Sequence, residues 1–220
     1  YNCAADNKMK IRVLIADDHP LFRAAMCQAL GDIVGPDILQ ASTLNETLSQ
    51  LDANPDIDLV FLDVKMPGND GLIGLSEVRA RYPDVLVVMV TAFEEANLIR
   101  KALSLGACGF IPKSASIECI AEAVERVLDG KQWLPESAAN LTNDGTDTDD
   151  FSVKLAMLTP HQLKVLRMVA DGLLNKQIAY ELDISESTVK QHVSAVLRKL
   201  NVINRTKAGI AFKHAMAVHE

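Results

Sequence analysis

The sequence predicts a doubly wound α/β domain followed by a smaller all-α domain. Two observations lead to this prediction. Between residues 9 and 130, apolar strand-like runs alternate five times with amphipathic helical segments, whereas residues 156–220 carry successive helix start and stop signals. Because right-handed crossovers place helices on both faces of a parallel sheet, five consecutive βα units favour the doubly wound class.

The elements of the first domain follow from two periodicities. Uninterrupted apolar runs indicate strands buried on both faces, and apolar residues spaced three or four apart indicate helices with one buried stripe. The predicted strands are Ile11–Ala16, Ile38–Ala41, Leu59–Leu62, Val85–Val90 and Gly109–Ile111. The predicted helices are Pro20–Leu30, Leu44–Ala53, Leu72–Tyr82, Glu95–Leu105 and Ile117–Leu128.

Composition indicates a globular chain without a membrane span. Residues of hydrophobic type make up 49% of the 220 positions, which excludes disorder throughout. The four cysteines have no CxxC spacing, so we expect free thiols in a reducing compartment. The longest apolar run, Val85–Val90, is far shorter than the roughly 20 residues of a membrane helix. We therefore expect a cytoplasmic protein.

Charge is divided unevenly along the chain. Residues 152–220 hold ten Lys and Arg against five Asp and Glu, a net charge of +5, and the remainder holds twelve against twenty-four, a net charge of −12. This asymmetry favours a basic module that meets nucleic acid, joined to an acidic module with another task.

Polar residues follow the predicted strands where each one ends. Asp17 and Asp18 follow the first strand, Asp63 the third, Thr91 the fourth, and Lys113 the fifth after Pro112. In a parallel sheet these ends meet at one edge, where three carboxylates repel one another unless a cation relieves them. Mg²⁺ suits such oxygen ligands, and an ammonium beside a nucleophilic carboxylate suits phosphoryl transfer. The competing interpretation of Asp63 is a simple cap of the turn that follows.

Residues 131–155 are predicted to form a flexible acidic linker, since they offer little to bury and much to solvate. Beyond the linker, Thr159 and Pro160 begin a helix that ends at Asp171-Gly172. Asn175 is predicted to cap the helix 176–182, and Ser185 or Ser187 a third helix that ends at Leu200. Two helices joined by the brief turn 183–185 predict a helix-turn-helix, whose second helix enters the DNA major groove.

Periodicity divides this recognition helix into two faces. The buried stripe is Val189, Val193, Val196, Leu197 and Leu200. On the other face, Lys190 and Gln191 can read purine edges, while other basic residues can neutralise phosphates. The candidate DNA contacts are Lys176, Thr188, Lys190, Gln191, His192, Ser194, Lys199 and Arg205. The competing interpretation is a helical bundle with a solvated polar face.

The first domain resembles the receiver domain of two-component response regulators, which has a flavodoxin-like fold. Four segments carry the resemblance: Ala16-Asp17-Asp18-His19-Pro20, Leu62-Asp63-Val64-Lys65-Met66-Pro67-Gly68-Asn69-Asp70-Gly71, Val90-Thr91-Ala92 and Gly109-Phe110-Ile111-Pro112-Lys113. The resemblance implies that Asp63 accepts a phosphoryl group from a sensor histidine kinase.

It also implies the remaining roles at this site. Asp18, Asp63 and the Lys65 backbone carbonyl would bind Mg²⁺ directly, and Asp17 largely through water. Thr91 and Lys113 would hold the phosphoryl oxygens. Phe110 would be the switch aromatic that turns inward, although plain core packing also accounts for an aromatic residue there.

The second domain is similar to the LuxR-type helix-turn-helix, and the whole chain to response regulators of the NarL/FixJ class. The motif residues are Leu173–Ala179, Ile184–His192, Lys199–Val202 and Arg205–Ala208. Two positions depart from the family pattern. Ser114 stands where many receivers have a cis proline after the lysine. His161-Gln162 replaces the usual Arg-Glu, which predicts the loss of either a helix-start ion pair or a capping contact.

These observations predict a DNA-binding transcriptional regulator, not an enzyme, that is activated by phosphorylation and binds DNA as a homodimer. One alternative is a receiver that serves only as a dimerisation module. Three mutually repelling carboxylates argue against it. The other is a Mg²⁺-dependent phosphohydrolase, which the attached helix-turn-helix disfavours.

Overall fold

The computed structural model describes residues 11–92, 95–141 and 148–217. Its centre is a five-stranded parallel sheet with strand order β2-β1-β3-β6-β7. The strands are β1 (Val13–Ala16), β2 (Ile38–Ala41), β3 (Leu59–Asp63), β6 (Leu86–Thr91) and β7 (Gly109–Pro112). All five lie within two residues of their predicted bounds. Met9, where the predicted domain begins, lies outside the described residues.

Helices cover both faces of the sheet, as the doubly wound class requires. They are α1 (Pro20–Val34), α2 (Leu44–Ala53), α3 (Ile73–Arg81), α4 (Ala96–Ser104) and α5 (Ile117–Leu128). Leu30 of α1 and Val124 of α5 pack in one buried cluster, and Leu48, Leu75 and Ile99 of α2, α3 and α4 pack in the other. The sheet therefore separates two cores.

A short hairpin follows β3 and was not predicted. It pairs β4 (Lys65–Met66) with β5 (Asn69–Asp70). Asn69 is buried, donates a hydrogen bond to the Asp63 carbonyl (2.6 Å) and accepts one from the Gly74 N–H (2.8 Å). A side chain at Gly74 would place Cβ 2.8 Å from the Asn69 amide. Asn69 thus fixes the loop that begins at Asp63.

Part of the segment predicted as flexible linker is instead packed on the first domain. Trp133 is 6% exposed and adds a parallel bridge beside Gly109 at the sheet edge, and a 3₁₀ helix follows (Glu136–Leu141). The prediction failed because one tryptophan can bury enough area to order a polar segment. Residues 142–147 lie outside the described residues.

Within residues 148–217 the second domain consists of helices α6 (Thr148–Ala156), α7 (Pro160–Ala170), α8 (Asn175–Leu182), α9 (Glu186–Leu200) and α10 (Arg205–Ala217). Helix α6 also lies mostly in the predicted linker, and its Phe151 is buried in the core of this domain. The predicted buried stripe of α9 is confirmed in full.

Helix capping departs from prediction at two places. The capping contact that was predicted to be lost at Gln162 is present. Gln162 Oε1 accepts a hydrogen bond from the Thr159 N–H (3.1 Å), and Thr159 Oγ1 accepts one from the Gln162 N–H (3.3 Å). Asn175 does not cap α8. It is the first helical residue, and the backbone of Leu174 is the N-cap.

Every peptide bond among the described residues is trans, which includes Lys113–Ser114. None of the helices that the structure describes has both the length and the apolar character needed to cross a membrane.

Candidate functional site

An acidic site lies at the carboxyl edge of the sheet, where three strand ends meet. Asp17 follows β1 and Asp63 ends the adjacent β3, and their side chains are nearly inaccessible, at 1% and 3% exposure. Lys113, just after β7, bridges them, with Nζ 2.6 Å from Asp17 Oδ2 and 2.9 Å from Asp63 Oδ2. One ammonium therefore pairs with two buried carboxylates.

Burial and charge act in opposite directions on this trio. Burial raises the pKa of Asp63, against hydrogen bonds from Lys113 and from the Lys65 N–H (3.2 Å) that stabilise its anion. Burial also disfavours the Lys113 cation, but its bonds to Asp17 and Asp63 prevail and raise the pKa of Lys113. Lys113 is therefore charged at neutral pH, as a partner of phosphoryl oxygens must be.

Asp18 and His19 lie at the mouth of the site. Asp18 is partly exposed, and its Oδ1 lies 2.7 Å from His19 Nδ1. One candidate ligand atom from each of Asp17, Asp18, His19 and Asp63 falls within 4.8 Å of all the others. Three carboxylates at this spacing are a donor set that fits a hard divalent cation such as Mg²⁺. Sequence reasoning missed His19, although it is adjacent to the acidic pair.

The other predicted receiver residues lie around Asp17, Asp63 and Lys113. Thr91 ends β6 next to β3, is 1% exposed, and its carbonyl accepts a hydrogen bond from the Lys113 N–H (2.7 Å). Lys65 is exposed in the hairpin directly after Asp63. Phe110 is completely buried in β7. Its burial fits both an inward switch position and core packing.

The recognition helix α9 presents a polar face opposite its buried stripe. Ser185 caps it by accepting from the Thr188 N–H (3.1 Å). Gln191 is exposed, and Thr188, His192 and Ser194 are partly exposed. These four predicted DNA contacts thus retain access to solvent.

Two predicted DNA contacts instead touch the first domain. Lys190 Nζ lies 3.4 Å from Asp84 Oδ2 and also donates to the Pro55 carbonyl. Lys176 Nζ lies 2.8 Å from Asp58 Oδ2. The two lysines that were predicted to contact DNA therefore pair with receiver carboxylates in this conformation.

Further hydrogen bonds join the domains around these ion pairs. Asn175 Nδ2 donates to Asp84 Oδ2 (2.9 Å), and Asn204 Nδ2 donates to the Gly106 carbonyl (2.8 Å). We call the surfaces joined by these bonds and by the two lysines the interdomain seam.

Arg205 and Lys199, which were predicted to contact DNA, donate hydrogen bonds within the second domain in this structure. Arg205 is 5% exposed, and its guanidinium donates to the Leu173 carbonyl and to Asn175 Oδ1. Lys199 donates to Gln162 Oε1 (2.8 Å) and to the Met157 carbonyl (3.0 Å). The sequence shows that both are cations near the recognition helix. It does not show that their N–H groups already donate hydrogen bonds to backbone carbonyls.

Comparison with known proteins agrees with this two-part architecture. Residues 13–125 match the response regulator receiver domain, and residues 156–211 match the luxR family of bacterial regulatory proteins. The chain is 41% identical over 204 residues to the glycerol metabolism activator of Pseudomonas putida, covering 90% of this chain and 92% of the relative. It is 34% identical over 205 residues to the nitrate/nitrite response regulator NarP of Escherichia coli, covering 91% and 94%.

Solved structures show the same fold. The response regulator RcsB in complex with DNA aligns with a TM-score of 0.56 at 23% identity, covering 93% of this chain and 98% of that one. A LuxR-family DNA-binding response regulator from Silicibacter pomeroyi aligns with a TM-score of 0.52 at 36% identity, covering 58% of this chain and 98% of that one. The chain therefore belongs to the two-component response regulators that join a receiver domain to a LuxR-type helix-turn-helix, a family of DNA-binding transcription regulators.

Proposed function

We propose that Asp63 is the residue that accepts the phosphoryl group from the phosphohistidine of a sensor kinase. The observation that carries this proposal is the position of Lys113 Nζ, 2.6 Å from Asp17 and 2.9 Å from Asp63. A carboxylate oxygen of Asp63 attacks phosphorus, a P–O bond forms, and the P–N bond to the kinase imidazole breaks with its electron pair on nitrogen. Phosphoryl transfer requires mainly positioning and charge neutralisation, and Lys113 supplies part of both.

Asp17, Asp18 and Asp63 would hold Mg²⁺, together with the backbone carbonyl of Lys65. When bound, the ion supplies charge neutralisation for the oxygens of the transferred group. The arrangement of the three carboxylates supports this set, because they repel one another without a cation.

Once Asp63 is phosphorylated, Lys113 exchanges a carboxylate oxygen for a phosphoryl oxygen. The hydroxyl of Thr91 would donate a hydrogen bond to another phosphoryl oxygen, and Phe110 would respond to the movement of Thr91. Thr91 ends the strand beside β3, which supports a contact between its hydroxyl and a phosphoryl group on Asp63. Asn69 holds the backbone of Asp63 while these side chains move.

We propose further that the interdomain seam masks the recognition helix until phosphorylation. Lys190 and Lys176 cannot pair with Asp84 and Asp58 and contact DNA at the same time. Opening the seam would free both lysines for DNA, with Thr188, Gln191, His192 and Ser194 on the same module. Arg205 would support DNA binding by bracing Leu173 and Asn175, not by touching phosphate.

A homodimer is the form that we expect on DNA. One recognition helix covers too few base pairs for selectivity, and paired helices in this class of motif reach half-sites about one helical turn apart. This function places the protein beside the chromosome, in the cytoplasm.

Intact-protein mass after incubation with acetyl phosphate and Mg²⁺ tests the proposal. The native chain should gain one phosphoryl group and Asp63→Asn none. Modification of both would move the acceptor to another residue. If neither is modified even with a partner kinase, the receiver is a pairing module and the proposal fails. Continuous release of phosphate from a small ester would instead favour a phosphohydrolase.

A further inference from the structure

The ring nitrogen of His19 faces a conflict of hydrogen-bond roles. Nδ1 lies 3.2 Å from Lys113 Nζ, which can only donate, so this contact requires a lone pair on Nδ1. The same atom lies 3.1 Å from Asp17 Oδ1 and 2.7 Å from Asp18 Oδ1, which as carboxylate oxygens can only accept. Nδ1 cannot meet both demands, because it either carries a proton or offers a lone pair.

Asp18 shows the same conflict from its own side. Within the described part of the chain, Asp18 Oδ1 is shielded from solvent and makes no hydrogen bond of acceptable geometry, although His19 Nδ1 is only 2.7 Å away. A buried oxygen without a partner is costly. One cation bound by Asp17 Oδ1, Asp18 Oδ1 and the lone pair of His19 Nδ1 would satisfy all three atoms, and the cation would replace Lys113 Nζ as the partner of that lone pair.

The backbone fixes His19 in place for this role. It is the N-cap residue of α1, its N–H donates to Asp17 Oδ1 (2.8 Å), and its side chain makes no capping bond. The imidazole therefore has no structural task at the helix start that would hold it away from the site.

We propose that His19 Nδ1 is a ligand of the divalent cation held by Asp17, Asp18 and Asp63, and that it shifts the selectivity of this site from Mg²⁺ toward Mn²⁺. Imidazole nitrogen suits transition metals, whereas Mg²⁺ prefers oxygen. The proposal rests on the cation site under Proposed function and adds a ligand and a selectivity to it.

The test measures Mn²⁺ binding by the full-length, tag-free protein from the loss of the electron paramagnetic resonance signal of free Mn²⁺. Competition with Mg²⁺ then gives the ratio of the two affinities. The matched variants are His19→Ala and His19→Gln, with His214→Ala as a control at an exposed histidine of α10. Because His19 makes no side-chain cap, both variants should keep the fold, which circular dichroism checks.

We expect His19→Ala to lower the preference for Mn²⁺ over Mg²⁺ by about tenfold. This factor is the lower end of the loss of metal affinity that follows when a group orienting a metal ligand is removed. His214→Ala should leave the preference unchanged. Electron spin echo modulation from ¹⁴N should be present for Mn²⁺ on the native chain and absent in both His19 variants. A merely structural histidine would give no such modulation.

Two results overturn the proposal. If both ions bind but the ¹⁴N modulation is absent, or if His19→Ala keeps the native ratio, the cation site stands and His19 is not its ligand. If neither ion binds, the cation site itself fails, and the role of His19 fails with it.

Discussion

Replacing Asp84 with alanine removes a carboxylate that receives two contacts from the DNA-binding domain. Its Oδ2 accepts a hydrogen bond from Asn175 Nδ2 (2.9 Å) and lies 3.4 Å from Lys190 Nζ. We change Asp84 and not Lys190, because Lys190 is itself expected to contact DNA and its loss would weaken binding directly. Asp58 is less suitable than Asp84, because it also accepts a hydrogen bond from the Arg12 N–H, and its loss would disturb the receiver itself.

The two contacts set the size of the effect. A hydrogen bond to a charged group contributes about 1.5–3 kcal/mol when buried. The side chains of Lys190 and Asp84 are 25% and 11% exposed, so solvent reduces their ion pair to about 0–1 kcal/mol. We take about 2 kcal/mol for the pair of contacts, which lowers the closing equilibrium constant of the seam roughly 30-fold.

Fluorescence anisotropy with a labelled duplex of arbitrary sequence measures this effect, since phosphate contacts alone support nonspecific binding. At one fixed salt concentration, unphosphorylated Asp84→Ala should bind DNA up to roughly 30-fold more tightly than the native chain. After treatment with acetyl phosphate the two proteins should bind equally, because both are open.

Asp52→Ala is the matched control. It removes the same charge from the receiver, but Asp52 pairs within that domain with Arg81 (2.9 Å). An equal gain in Asp52→Ala would mean that net charge, not opening of the seam, strengthens binding. No gain in Asp84→Ala would refute the masking role of the seam.

Three further predictions concern the stability of each domain. Asp63→Asn should raise the thermal midpoint of the receiver at pH 7 without metal, because burial raises the pKa of Asp63 and its ionisation therefore costs stability. Below pH 3.8 the carboxyl is protonated in both the folded and the unfolded state. The stability gained by Asp63→Asn should therefore fade as the pH falls through the folded pKa and below it. A gain in thermal midpoint that persists at pH 3 contradicts this cause. Gly74→Ala should destabilise the receiver by about 1–3 kcal/mol, because its Cβ would lie 2.8 Å from the Asn69 amide. Gly31→Ala in α1, where a Cβ meets nothing within 4 Å, is its control, and urea unfolding followed by the single tryptophan reports both. Gln162→Ala removes half of a capping box and should cost the second domain about 0.5–2 kcal/mol in circular dichroism melts, whereas Gln162→Glu should not.

The acidic site could be predicted because its residues follow strands directly. The position of a side chain at a strand end depends on local chain order and on the rule that parallel strands share one carboxyl edge. Asp17, Asp63, Thr91 and Lys113 were placed at that edge by this reasoning alone. His19 was missed because its nitrogen matters only through its distances to Asp17, Asp18 and Lys113.

Predictions about long polar side chains were weaker. Lys199 and Arg205 are cations near a recognition helix, and the sequence shows no more than that. Their donors reach two backbone carbonyls and two side-chain amides that lie about 30 to 40 positions away along the chain. Such partners depend on how helices pack, which local patterns do not encode.

The sequence by itself determined the division into two domains, the five strands of the parallel sheet, the helices α1–α5 and α7–α9, the buried stripe of α9 and the carboxylates at the sheet edge. These features depend on the periodicity of apolar residues and on short motifs, both of which are local. Only the tertiary structure decided that Trp133 joins the receiver, that Asn69 fixes the Asp63 loop, and that Lys176 and Lys190 meet Asp58 and Asp84. Each of these contacts joins elements that are brought together by packing, and their free energies depend on burial that no local pattern reveals.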